Sequence, residues 1–101
     1  MTRRRKAVVH YTKVAEQALD AIAEYTSNEW GHDQRDRYMA LLQDACERLV
    51  PRHAALARPV PGRPDLRTLR CERHVIYFRA VEDGFEIVHV LHDRQLPLNH
   101  L

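Results

Sequence analysis

Arg73-His74-Val75-Ile76-Tyr77-Phe78-Arg79 is followed, after Ala80 and Val81, by Glu82-Asp83-Gly84. Phe85-Glu86-Ile87-Val88-His89-Val90-Leu91-His92-Asp93-Arg94 then completes the stretch that decides the fold. Both long runs are rich in β-branched and aromatic residues, and the acidic Gly-ending triplet between them has hairpin-turn chemistry. The spacing predicts antiparallel strands over 73–81 and 85–93. A third strand is predicted over 66–71, where arginines punctuate Leu66-Arg67-Thr68-Leu69-Arg70. Arginines border these strands, and such a sheet presents cations to an acidic or anionic partner.

Upstream, residues 7–11 centre on Val8 and Val9 and read as a first strand. The period changes after Thr12, a suitable N-cap. Ala15, Leu19, Ile22, Thr26 and Trp30 recur at steps of three and four and so share one helix face. Gly31 is placed to end this helix. A second helix is predicted from an Asp33 N-cap, with the stripe Tyr38, Leu41, Leu42, Ala45 and Leu49, and with Pro51 ending it. A linker of about three residues makes the two helices a hairpin. Residues 51–65 hold four of the five prolines and Gly62, and read as a loop. Tyr25, Trp30 and Tyr38 are expected in core or hairpin packing. The order is β-α-α-β-β-β, an α+β fold with a helical hairpin on one face of a small, mostly antiparallel sheet.

The chain has 101 residues, enough for one domain with one core. Apolar content of 45% and charged content of 30% suit a globular chain rather than a disordered one. A net charge of +2 is too small to imply nucleic-acid binding, so direct contact with nucleic acid is not expected. The basic run Arg3-Arg4-Arg5-Lys6 reads as a solvated end, and residues 95–101 as a short tail. No run approaches the roughly 18 apolar residues of a membrane span, and no signal-peptide core follows the basic start. Cys46 and Cys71 are too few for a disulfide framework and read as reduced, packed thiols of a cytoplasmic protein. His74, His89, His92 and His100 lack zinc-site spacing, and neither metal nor cofactor is expected. His89 is expected to pack in the sheet, and His10 and His53 to lie at the surface.

Several stretches in this order resemble the ParE branch of the RelE/ParE toxin superfamily. They are Ala18-Leu19-Asp20-Ala21-Ile22-Ala23-Glu24-Tyr25 with Trp30-Gly31, then Arg37-Tyr38 with Leu41, and Gly62-Arg63 before Leu66-Arg67. The strands Arg73–Arg79 and Glu86–Arg94 complete the likeness, which spans about residues 7–98. Each motif alone is short; order and spacing carry the signal. The resemblance implies the toxin of a type II toxin–antitoxin pair, neutralised by a ParD-like antitoxin and directed at DNA gyrase. Residues expected to meet the antitoxin are Leu19, Ile22 and Leu42 on the helices and Arg67, Arg70, Arg73 and Arg79 on the strands.

The RelE branch instead cleaves messenger RNA on the ribosome. That chemistry needs a base, an acid and phosphate-binding cations. Here the candidates are His74, His92 and Arg94. The tail Leu96-Pro97-Leu98-Asn99-His100-Leu101 has no tyrosine, lysine or arginine, which weighs toward a toxin without a catalytic residue.

Overall fold

The computed structural model describes residues 7–95. The basic run and most of the tail therefore lie outside the described residues. β1 is Val8–Tyr11, α1 Lys13–Trp30 and α2 His32–Asp44. A π-helical turn, Ala45–Leu49, continues into α3, Val50–His53, and a 3-10 turn, Ala54–Leu56. Then come β2 Arg58–Val60, β3 Arg63–Cys71, β4 His74–Val81 and β5 Gly84–His92. The five strands form one sheet in the order β1-β5-β4-β3-β2, with β1 parallel to β5 and the other neighbours antiparallel. The α+β class and the helical hairpin on a mostly antiparallel sheet agree with the sequence reading.

The cross-strand register explains the core. Leu69 of β3, Ile76 of β4 and Val90 of β5 lie abreast, as do Phe78 and Ile87. Directly opposed residues share a sheet face. Ile76, Phe78, Ile87 and Val90 are buried there with Ala15, Ala45, Cys46 and Val50 from the helical segment. Leu19 and Ile22 of α1 pack against this cluster.

Thr12 binds α1 to the sheet. Its Oγ1 accepts from the Ala15 amide at 3.0 Å, the N-cap bond, and donates to the Val88 carbonyl at 2.7 Å. Its amide donates to the Ile87 carbonyl at 3.0 Å. Val88 is the extra residue of a bulge, since Tyr77 faces His89 while Phe78 faces Ile87. A bulge residue leaves the ladder, so its carbonyl is available to a side chain.

Three expectations need correction. Pro51 does not end the helical segment. The chain widens at the π turn, where the Val50 amide bonds the Ala45 carbonyl, and Pro51 falls in the first turn of α3. A first-turn residue needs no intrahelical N–H bond, so the ring is tolerated. Residues 51–65 are not all loop either: β2 pairs with β3, placing Pro59 opposite Arg67. β2 is an edge strand, where proline's missing donor costs no ladder bond on the outer side. Finally, α2 starts at His32 with Gly31 as its N-cap, so Asp33 lies in the first turn and a single residue joins the helices.

That single residue must be glycine. Gly31 has φ 90° and ψ 172°, a region essentially closed to side chains. Gly84 is required for a different reason. A Cβ there would stand 2.0 Å from the Val8 carbonyl oxygen, inside the β1–β5 pairing. Gly31→Ala should cost about 1–3 kcal/mol through backbone strain alone. Gly84→Ala should cost at least about 3 kcal/mol, because the partner is backbone and cannot yield without unpairing β1. Urea unfolding measures both, and amide exchange in β1 should accelerate only in the Gly84 variant.

Candidate functional site: a cavity between the helical hairpin and the end of the sheet

A cavity of about 910 Å³ opens between α1, the start of α2 and the ends of β4 and β5. Its apolar side includes Ala18, Ala21 and Ile22. Its outer wall is aromatic, from Tyr25 and Trp30. These two were expected inside the hairpin, but they stand 64% and 72% exposed. The α1 stripe that meets the sheet core is Ala15, Ala18, Leu19 and Ile22, and nothing among the described residues covers the two rings farther along.

The opposite end is polar and built by short-range geometry. Arg73 precedes and His74 begins β4; His92 ends β5, Arg94 and Gln95 follow it, and all line the cavity. The Arg73 amide donates to the Tyr38 hydroxyl at 3.3 Å, and that hydroxyl is hydrogen-bonded to His74 Nδ1. Burial raises the Tyr38 phenol above its usual pKa, with the Arg73 amide opposing, so the hydroxyl keeps its proton. Burial, and then the neighbouring His92, push His74 down to about 4 from 6.5, against the pull of Asp93. His74 is therefore a neutral ring whose Nδ1 is engaged by Tyr38.

His92 faces His74 edge-on with ring centroids 5.3 Å apart. Its Nδ1 accepts the Arg94 amide at 3.2 Å and lies 3.0 Å from Asp93 Oδ1. Asp93 Oδ2 takes the Arg70 guanidinium at 2.7 Å. Gln95 Oε1 accepts the His92 amide at 2.7 Å, so its NH2 group remains as a donor. Among the described residues, no group of three His, Cys, Asp or Glu is arranged to hold a metal ion.

The structure sorts the residues singled out from the sequence. His74, His92 and Arg94 converge on this cavity, joined by Ile22 and Arg73. Leu19 is half-buried against the core. Leu42 was expected to be incompletely covered, yet it is fully buried and offers no surface. Arg70 is tied to Asp93, and Arg79 to Glu86 at 2.9 Å. Arg67 donates to the Ala57 carbonyl at 3.0 Å, and lines a separate hollow together with Arg79. His89 is half-buried, accepts the Val90 amide at 2.9 Å and borders the cavity. Sequence reasoning missed the pairing of Tyr38 with His74 and the role of Asp93. The run of strand-forming residues over 73–81 marked His74 as a sheet residue, but only the seating of α2 brings Tyr38 to it.

The chain matches the family described as the ParE toxin of the type II toxin–antitoxin system parDE over residues 9–97. It is 36% identical over 85 residues to Toxin ParE of Escherichia coli, covering 82% of each chain. It is 33% identical over 87 residues to Toxin ParE1 of Mycobacterium tuberculosis, covering 79% of this chain and 83% of the relative. Its backbone is similar to that of a solved chain titled "Chromosomal ParDE TA system from P. aeruginosa". The TM-score is 0.69 at 19% identity, covering 86% of this chain and 96% of the other. The chain belongs to the ParE toxin family of type II toxin–antitoxin systems.

The depressed His74 titration gives a signed expectation. A folded pKa near 4 against 6.5 means the unfolded chain binds the extra proton in that window. Stability conferred by keeping the ring neutral is thus present above about pH 6.5 and is lost as pH falls toward 4. Urea midpoints measured between pH 7 and pH 4.5 should fall more steeply for the native chain than for His74→Gln. The His74 Cε1 proton resonance should stay at its neutral position down to about pH 5.

Proposed function

We propose that this ParE-family toxin is neutralised by a ParD-like antitoxin seated in the cavity between the helical hairpin and β5, and that the free toxin inhibits DNA gyrase in the cytoplasm. The observation that carries the antitoxin reading is the cavity itself, an open recess with an apolar side at Ala18 and Ile22 and a cationic rim at Arg73 and Arg94. An amphipathic, acidic segment of a partner fits such a recess: apolar side chains go in, and carboxylates reach the guanidiniums. The P. aeruginosa neighbour comes from a ParDE system, which supports a partner of the same kind.

The gyrase reading follows from the family. It is supported by the state of the imidazoles. An RNA-cleaving site needs a free base for the 2′-hydroxyl. Here His74 Nδ1 is taken by Tyr38 and His92 Nδ1 by the Arg94 amide. His74, His92 and Arg94 are brought together at one end of the cavity with one nitrogen of each ring already engaged.

Affinity for the cognate antitoxin should drop by about tenfold or more for Ile22→Glu or Arg73→Glu. Arg79→Ala should change it by less than about twofold, because Arg79 is already paired within the sheet. Purified toxin should inhibit gyrase supercoiling while messenger RNA in arrested cells stays intact. Messenger cleavage that disappears in His74→Ala or Arg94→Ala, with supercoiling unaffected, would replace this reading with the ribonuclease one.

A further inference from the structure

The polar end of the cavity has an unusual composition. His74 has its Nδ1 engaged by the Tyr38 hydroxyl. His92 likewise has its Nδ1 engaged, and Gln95 has its carbonyl engaged. Among the described residues, the Arg73 and Arg94 guanidiniums have no carboxylate or carbonyl partner, unlike Arg48, Arg70 and Arg79. Asp93, the acidic neighbour, is already bonded to Arg70 and stands beside His92 Nδ1. The lining at this end is therefore rich in donors, and Asp93, whose unpartnered Oδ1 is buried, is not part of it.

We propose that this cavity binds a nucleotide, its phosphate at the donor end and its base against Trp30 and Tyr25. A carboxylate has two oxygens to satisfy. A terminal phosphate has three, and matches a set of two guanidiniums and an amide NH2 group with two imidazoles beside them. The exposed rings of Trp30 and Tyr25 on the facing wall are what a flat base requires, since every base stacks on an aromatic face. A recess of about 910 Å³ accommodates such a molecule. The source is either a free nucleotide or the phosphorylated end of a single strand. The inference does not rest on the antitoxin or gyrase readings, although an antitoxin seated in the cavity would exclude the nucleotide.

Trp30 is the only tryptophan in the chain and so reports on its own wall. The full chain, free of antitoxin, is titrated with adenosine 5′-monophosphate, adenosine, inorganic phosphate and a 5′-phosphorylated trinucleotide. Trp30 emission excited at long wavelength and calorimetry are the readouts. Adenosine 5′-monophosphate should quench Trp30 saturably and bind at least about tenfold more tightly than adenosine or phosphate. Arg94→Ala should weaken it by about tenfold or more, and Trp30→Ala should bring it down to the level of phosphate. Arg48→Ala, remote from the cavity and paired with Asp44, should bind as the native chain does. Melting temperatures show that each variant is folded. A trinucleotide that binds more tightly than the mononucleotide assigns the site to strand ends; equal affinity assigns it to free nucleotides. Either upholds the proposal, provided the trinucleotide is recovered intact. The proposal is overturned by an absence of saturable binding at millimolar nucleotide, by phosphate alone binding as tightly, or by an unchanged affinity in the folded Arg94 variant. Unchanged antitoxin affinity in the Ile22→Glu and Arg73→Glu variants would count against the antitoxin reading only.

Discussion

Thr12 is the point on which the rest of the structure turns. Within one residue the chain leaves β1, starts α1 and bonds twice to β5, through the Ile87 and Val88 carbonyls. The hydroxyl accepts from the first helical turn and donates to the bulge in the same geometry. The position of α1 over the sheet is thereby set at its root. Burial of Ile22 and Leu19 against Ile87 and Val90 supplies the bulk of the adhesion, since apolar area removed from water is the main favourable contribution to folding. Area alone is non-directional. The Thr12 bonds supply direction, and so decide how the far part of α1 stands from β5 and whether a cavity remains there.

The character of that cavity follows from two further contacts. Tyr38 holds the Arg73 amide and the His74 ring together, coupling α2 to the start of β4. Asp93 takes Arg70 on Oδ2, and its Oδ1 is buried beside His92 with no hydrogen-bond partner among the described residues. Arg73 and Arg94 lack a carboxylate partner among the described residues, and one nitrogen of each imidazole is engaged. A family defined by its toxin–antitoxin pairing thus presents here a recess that is apolar on one side, aromatic on another and rich in donors at its end. The three characters together favour an amphipathic or aromatic anion.

The sequence carried the framework well, and for identifiable reasons. β4 and β5 were legible because Ile76, Phe78, Ile87 and Val90 sit in runs of strand-forming residues broken by a turn triplet. α1 was legible because Ala15, Leu19 and Ile22 keep helical spacing. Proline misled the reading twice, since its cost depends on position: Pro51 falls in a first helical turn, and Pro59 on a sheet edge. The aromatic residues misled it as well. Trp30 follows the α1 period but lies beyond the part of the stripe that meets the core, a fact of tertiary placement. Arginine density was visible, but which arginines are spoken for was not. Arg79 finds Glu86 directly across the β4–β5 ladder, and Arg70 finds Asp93 farther on, pairings that depend on register. Of the candidate site, His74, His92 and Arg94 could be named in advance. The contact of Tyr38 with His74 required the fold.

Hydrogen exchange on Thr12→Val, compared with Thr12→Ser, tests the central claim most directly. Valine keeps the branched shape and removes the hydroxyl; serine keeps the hydroxyl. The account predicts that the valine variant, with an N-cap loss of about 1–2 kcal/mol, exchanges faster at Ala15 and Glu16 and also at the bulge amides of His89 and Val90. In the serine variant both regions should stay protected. Faster exchange confined to the first helical turn, with the bulge unchanged, would contradict the claim that this one side chain seats α1 on β5.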